Sequence, residues 1–486
     1  MENTVRTLVP ARLDRLPWSG FHTKLVLALG VAWVLDGMEI TIASAVGSVL
    51  QERETLSLSA VQVGLTATVY LIGQVAGALV FGRLSDRFGR RRLFILTLAL
   101  YLVANGITAF SPNLAFLLVF RFFAGAGIGG EYAAIHSAID ELIPSRYRGR
   151  VDLAVSGTYW LGAIIGTAST YILLNPDILP VDLGWRLGLL IGPVLGALVW
   201  VLRRHLPESP RWLLMHGRHE EAERAVEQVE AAVEASGVRL PQVDESKAME
   251  MRPHGAPSYR EIVRVLLKEY PKRTILGASM MISQSFLYNA IFFTYVIILN
   301  TFYGVSASDA SKFLLAFAVG NLAGPFILGP LFDTVGRRVM ISSTYVSSGL
   351  LLAVTGWLFN EGVLTATTLA LLWSVIFFIA SAAASSGYLT VSELFPLEIR
   401  ALAIAVFFSV AQGFGALGPL LFGALIGDEA NPDPTGLFYG YLLAAAMMVG
   451  AGVIAWFFAV NAERRSLEDL APSLSMRDAA PSPSGS

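Results

Sequence analysis

Inside an apolar run from Lys24 to Leu50 stands the stretch "VLDGMEITIAS", which carries two carboxylates, Asp36 and Glu39. In a helix this three-residue spacing places them about 60° apart around the axis, on one face. An acid at the centre of a membrane helix costs about 2.5–3.5 kcal/mol on insertion scales, so two within one turn do not face lipid. A later apolar run carries Arg121 and, about 15 Å further along a helix, Glu131. A nearby guanidinium favours an ionised carboxylate and a dry apolar setting favours a protonated one. A movement that alters water access or separation can therefore load and unload a proton. The same residues also suit a permanent ion pair that only holds two helices together. Glu131 fits a second acid, a contact for a cationic solute or a structural partner. His136, further along, fits an interfacial or gate position.

The elements that must hold these groups are membrane spans. The chain has 486 residues, 54% of them hydrophobic and 15% charged, with a mean hydropathy of +0.60, which marks an integral membrane protein. There is no cysteine, which excludes disulfides and thiolate metal sites. Stretches of about 20 apolar residues, enough to cross roughly 30 Å of hydrocarbon, occur twelve times. They lie near 24–50, 61–82, 93–111, 113–140, 151–175, 185–206, 274–302, 309–332, 338–359, 363–392, 401–426 and 437–460. The expected fold class is an all-α membrane protein of twelve transmembrane helices in two pseudo-symmetric six-helix bundles.

Basic residues gather in "GRLSDRFGRRR", "ELIPSRYRGR", "DTVGRRV" and "ELFPLEIR", whereas "NPDILPVDLG" and "GDEANPDPTG" have almost none. Because Lys and Arg concentrate in cytoplasmic loops, both termini and the central loop are expected inside, in a bacterial-type plasma membrane. The expected organisation is a cytoplasmic leader (1–23), a first bundle (24–206), a central loop with short helices (207–273), a second bundle (274–460) and a disordered tail (461–486). In the loop, "RHEEAERAVEQVEAAVEA" has helix-forming residues, and Ser258 with Glu261 has capping-box spacing.

An internal repeat supports the two bundles. "GRLSDRFGRR" (Gly82 to Arg91) and "GPLFDTVGRR" (Gly329 to Arg338) share Gly, Leu, Asp, Gly, Arg and Arg at identical spacing, 247 residues apart. "ELIPSRYR" and "ELFPLEIR" recur 252 apart. Two loop pairs at nearly one offset indicate a duplicated six-helix unit.

These motifs resemble the major facilitator superfamily across essentially the whole membrane portion. "PESPRWLL" (Pro207 to Leu214) resembles the signature of its sugar-porter branch, while "GIGGEYAA" in span 4 is similar to niacin-permease-like and synaptic-vesicle-transporter-like members. Span 7 keeps Gln284 and Asn289 at the sugar-porter spacing, with Ser283 and Leu287 as departures, and "ASSGYLTVSELFP" replaces that branch's span 10 pattern. The resemblance implies the major facilitator fold and alternating access. It matches Glu39 to the proton-carrying acid of span 1, one methylene longer than that family's Asp, and Arg121 to its span 4 arginine.

A carrier of this kind needs a polar central cavity, a gate and an energy source. The expected proton-coupling groups are Asp36, Glu39, Arg121 and Glu131. The expected solute contacts are Gln284, Asn289, Tyr70, Gln74, Tyr159, Trp160, Trp373, Tyr388 and Gln412, whose amides and rings suit a polar solute with an apolar side. A gate of ion pairs is expected from Asp86, Arg90, Arg91, Glu141, Arg148, Glu208 and Arg211, mirrored by Asp333, Arg337, Arg338, Glu393 and Arg400. The same arginines also serve to hold loops inside. Gly73 with Gly77, Gly162 with Gly166, and "GAGIGG" have the spacing that lets helix backbones approach.

The functional expectation is proton-coupled symport of a small polar metabolite, a sugar, polyol or small organic acid, by a monomer. A passive facilitator, or a carrier of organic cations or aromatic acids, is the alternative. No Gly-Lys-Ser/Thr phosphate loop and no metal-ligand cluster occurs, so no enzyme, cofactor, metal or nucleic-acid partner is expected.

Overall fold

The computed structural model describes residues 5–203, 208–243, 249–251, 259–395, 397–427 and 432–459. A short strand β1 (Val5–Thr7) and helix α1 (Val9–Asp14) precede six long helices. These are α2 (Gly20–Val49), α3 (Ala60–Phe88), α4 (Arg90–Thr108), α5 (Leu114–Leu142), α6 (Ser145–Leu173) and α7 (Val181–Arg203). The connecting segment contains α8 (Pro210–Met215), α9 (His219–Glu234), β2 (Met249–Met251) and α10 (Tyr259–Lys268). The second half has α11 (Pro271–Tyr303), α12 (Ala307–Thr334), α13 (Arg337–Asn360), α14 (Ala366–Leu394), α15 (Leu397–Gly415), α16 (Leu417–Ile426) and α17 (Pro434–Phe458). Among the described residues, ten stretches are long and apolar enough to cross a membrane. The 29-residue α6 and 23-residue α7 complete the twelve long elements.

The repeat seen in sequence is a repeat in space. α3 packs on α5 as α12 packs on α14, α2 on α6 as α11 on α15, and α4 on α7 as α13 on α17. The matched loop motifs turn on matched glycines: Gly89 (φ 94°) before α4 and Gly336 (φ 114°) before α13. Both take a backbone region that residues with a Cβ rarely enter. Small residues also set the helix spacing inside the first bundle. A Cβ on Gly125 would fall on the Tyr70 carbonyl, and one on Gly37 would fall on the Tyr159 carbonyl. Backbones of α5 and α3, and of α2 and α6, thus meet directly.

One span differs from the continuous helix expected over 401–426. It is divided at Ala416 into α15 and α16, because Pro419 has no N–H for the carbonyl four residues back. At the break the Ala416 carbonyl accepts the Thr68 hydroxyl of α3 at 2.6 Å.

The two bundles meet through α2 with α11, α3 with α15 and α16, and α6 with α12. Among the described residues, close contacts lie in the half of the membrane region away from the basic loops, here called the far half. Residues 44–49 of α2 and 289–299 of α11 are buried there, Ser44 donates to the Phe292 carbonyl, and a Cβ on Gly423 would come within 2.6 Å of the Ala60 carbonyl. The far half is closed.

The leader folds onto the central segment. α9 buries Ala222, Ala225, Val226, Val229 and Val233, a helical stripe that clusters with Val9, Leu13 and Leu16 of the leader and Trp212 of α8. Arg12 holds Glu230 bidentately, with Nε to Oε1 at 3.1 Å and Nη2 to Oε2 at 2.6 Å, and Arg15 adds a bond at 2.6 Å. β1 pairs antiparallel with β2, Val5 opposite Met251. Burial pushes the Glu230 carboxyl up, but the bonds from Arg12 and Arg15 outweigh it and hold it below the usual range. Ser258 of the expected capping box and the tail 461–486 lie outside the described residues.

Candidate functional site

Glu39 and Arg121 come together in the middle of the first bundle. Arg121 Nη1 donates to Glu39 Oε1 at 2.6 Å, and Asn105 Nδ2 of α4 donates to Oε2 at 2.6 Å and to the Leu189 carbonyl at 3.2 Å. Glu39 is 0% exposed and Arg121 3%. A charge so deeply buried needs its partner: breaking such a pair from one side costs about 3–5 kcal/mol. Arg121 also lines a narrow cleft of the far half with Val46, Leu50, Val63 and Phe293. The pair therefore has one side toward protein and one toward a cleft.

Asp36 takes a different set of partners. Its Oδ1 accepts the Tyr70 hydroxyl at 3.3 Å and its Oδ2 accepts the Tyr132 hydroxyl. The spacing suggested that both carboxylates turn to Arg121. In the structure Glu39 does so and Asp36 turns toward α3 and α5 tyrosines. Tyr70 links the two groups, because the Arg121 guanidinium lies 4.3 Å over its ring. Thus Tyr70, expected among solute contacts, sits within the charged cluster. Glu131 is 2% exposed on the same helix as Arg121.

The amides expected at the solute site meet at the joint between bundles. Gln412 Nε2 donates to Gln74 Oε1 at 2.9 Å, while Gln412 Oε1 accepts Ser285 Oγ at 2.5 Å and Asn289 Nδ2 at 3.2 Å. Asn289 also donates to Ser285 Oγ at 3.2 Å. Gln284 Oε1 is buried and has no hydrogen-bond partner among the described residues. Tyr159 and Tyr288 share a hydroxyl contact of 2.8 Å across the bundles, with Trp160 beside both rings at 5.1 and 6.2 Å. Trp373 lies elsewhere, 0% exposed and 5.5 Å from Tyr295 within the second bundle.

Of the expected gate, Glu208 accepts the Arg91 backbone N–H at 3.1 Å, tying the α3–α4 turn to the start of α8. Arg338 lies 5.0 Å over Trp456, and Arg337 stands beside it, half-buried. The side chains of Asp86, Arg90, Glu141, Arg148, Arg211, Asp333, Glu393 and Arg400, with those of His136 and Tyr388, lie outside the described residues.

Asn105, Tyr132, Ser285 and Tyr288 were not foreseen. Asn105 had a signal, a single amide in an otherwise apolar run; Tyr132 and Tyr288 had only their adjacency to Glu131 and Asn289. Their roles come from which neighbouring helix covers which face.

The chain is similar to known transport proteins. Residues 37–474 match the family model described as "Sugar (and other) transporter". The putative metabolite transport protein YdjK of Escherichia coli is 30% identical over 475 residues, 94% of this chain and 95% of that protein. The niacin transporter NiaP of Acinetobacter baylyi is 27% identical over 68% of this chain and 72% of that protein. A D-xylose–proton symporter structure superposes with a TM-score of 0.71 at 19% identity, covering 92% of this chain and all of that one, a likeness of fold. With a family model matched over most of its length, the chain belongs to the sugar (and other) transporter family and is a membrane transporter of the major facilitator superfamily.

Proposed function

We propose that the chain is a proton-coupled symporter of a small polar metabolite, working by alternating access, with Glu39 as the proton-carrying group and Arg121 as its competitor. The observation that carries this reading is the buried Glu39–Arg121 pair, 2.6 Å apart, with Arg121 on a cleft of the far half. Protonation of Glu39 removes the charge opposite Arg121. The guanidinium then keeps its contact with the Tyr70 ring, whose hydroxyl is bonded to Asp36. A proton drives a conformational change only through different affinities in the two states, and a pair formed in one state and loosened in the other supplies that difference. The Gln412, Gln74 and Asn289 amides open toward solute when the bundles part.

In this reading the basic loops and both termini face the cytoplasm of a plasma membrane, the far half faces outside, and the described structure is closed to the outside. Ion pairs of the loop motifs then form and break on the inner side. The solute belongs to the range that the relatives' names span, which includes D-xylose, niacin and organic cations. A second reading has support from the full bonding of both Glu39 oxygens: the pair is a fixed strut in a passive facilitator.

Proteoliposomes loaded against an inward proton gradient separate the two, with radiolabelled D-xylose, a polyol, nicotinate and a small organic cation as probes. Symport predicts accumulation above equilibrium that collapses with the gradient, and a Glu39→Gln protein that exchanges solute without accumulating it. Gradient-independent flux in wild type, or full accumulation by Glu39→Gln, rejects it.

A further inference from the structure

Three features around Asp36 go beyond its neighbourhood to the proton pair. First, both of its oxygens are held by neutral tyrosine hydroxyls, from Tyr70 and Tyr132, while the guanidinium of Arg121 bonds Glu39. Among the described residues, the buried charged side chains of the first bundle are Asp36, Glu39, Glu131 and Arg121. Between residues 274 and 459 the basic residues Lys312, Arg337, Arg338 and Arg400 stand near helix ends, so the second bundle brings no cation to this level.

Second, the hydroxyl on Asp36 Oδ2 belongs to a ring at the joint between bundles. Tyr132 lies 5.3 Å from Phe408 of α15 and 4.7 Å from Trp33 of α2. Third, this contact begins a continuous arc of rings. Trp33 reaches Tyr159 at 6.4 Å, Tyr159 adjoins Trp160 at 5.1 Å, and Trp160 reaches Tyr288 of α11 at 6.2 Å. The arc starts and ends on the second bundle and runs through α5, α2 and α6 of the first. It walls the face along which the bundles must part.

We propose that Asp36 is the solute-docking carboxylate, and that it takes the N–H donor of a small ring-bearing organic cation, which displaces the Tyr132 hydroxyl and lies against the aromatic arc. An anionic solute would meet the Asp36 carboxylate, while Arg121, the buried cation among the described residues, is bonded to Glu39. A cation gains the carboxylate and the ring faces together. Displacement of Tyr132 also loosens its contact with Phe408, and the Tyr70 hydroxyl on the other oxygen carries the event to Arg121. Solute arrival at Asp36 is thereby felt at the Glu39 pair. The proposal rests on reading the inter-bundle face as the solute site, and it does not need proton coupling.

The test measures binding at fixed pH to the purified full chain, by thermal stabilisation and calorimetry. The probes are benzylamine, benzyl alcohol and benzoate, one ring with cationic, neutral and anionic heads, together with D-xylose. Benzylamine is expected to bind best, at least tenfold more weakly to Asp36→Asn, and several-fold more tightly to Tyr132→Phe, which lacks the competing hydroxyl. The opposite sign of the second variant keeps the test decisive if the first fails to fold. Tighter binding of benzoate, benzyl alcohol or D-xylose, no benzylamine binding at millimolar concentration, or no change in either variant overturns the proposal. Binding is read without a proton gradient and accumulation is read in proteoliposomes, so benzylamine binding without proton-driven accumulation, or accumulation without benzylamine binding, shows which of the two readings fails.

Discussion

Gln412→Leu tests how the closed far half is held. Gln412 gives Gln74 Oε1 its bond across the bundles at 2.9 Å, and Gln74 is 1% exposed with its Nε2 already unbonded among the described residues. The substitution leaves that whole amide buried and unpaired in the closed state, whereas water serves it once the bundles part. An orphaned buried polar group costs about 1–3 kcal/mol, which shifts the closed-to-open ratio by about five- to 150-fold. Ser285 and Asn289 soften the effect because they bond to each other at 3.2 Å. The assay is a spin-label distance between Glu54→Cys and Glu361→Cys, exposed at the far end on opposite bundles, in a chain with no native cysteine. Gln412→Leu should enlarge the long-distance population. Adding Gln74→Leu should largely reverse the effect, because replacing both partners by apolar groups is close to neutral. An unchanged distance distribution in the single variant, or a double variant as open as the single, would refute this account of the closure.

Other expectations follow from packing and from the leader. Gly125→Val puts a side chain where the Tyr70 backbone lies, an overpacking cost of about 3 kcal/mol or more. It should abolish recovery of folded protein in detergent chromatography, while Gly450→Val, with nothing within 4 Å, should not. Glu230→Gln removes charge-assisted bonds to Arg12 and Arg15, each worth about 1.5–3 kcal/mol when a charge is involved, so limited proteolysis after Arg15 should accelerate. The Glu230 carboxyl is held low in the folded state. Its contribution is therefore present at neutral pH and lost as pH falls below the ordinary Glu value of about 4.3, and wild-type leader cleavage should rise only there.

Much of the fold was legible because lipid imposes it. Each span needs about 20 apolar residues, and the duplicated loops around Gly89 and Gly336 mark the two halves. The Glu39–Arg121 pair was legible because ionisable groups inside spans are rare. The turning apart of Asp36 and Glu39 was not. Their spacing fixes their angle, but only the packing of α4 against one and of α3 and α5 against the other assigns the partners. The leader was equally opaque, since α9 shows an apolar stripe without showing that residues 9–16 will cover it. The break before Pro419 was visible as a proline but outweighed by the apolar length of the run.

If Glu39 is the protonation switch, removing its carboxyl removes the pH dependence of the closed-to-open equilibrium. With the same far-end spin labels, the distance distribution is followed from pH 5 to pH 9 for wild type, Glu39→Gln and Asp36→Asn. A Glu39 switch gives a pH-dependent exchange between closed and open populations in wild type and in Asp36→Asn, and a pH-independent distribution in Glu39→Gln. A Glu39→Gln protein that titrates as wild type does would contradict it.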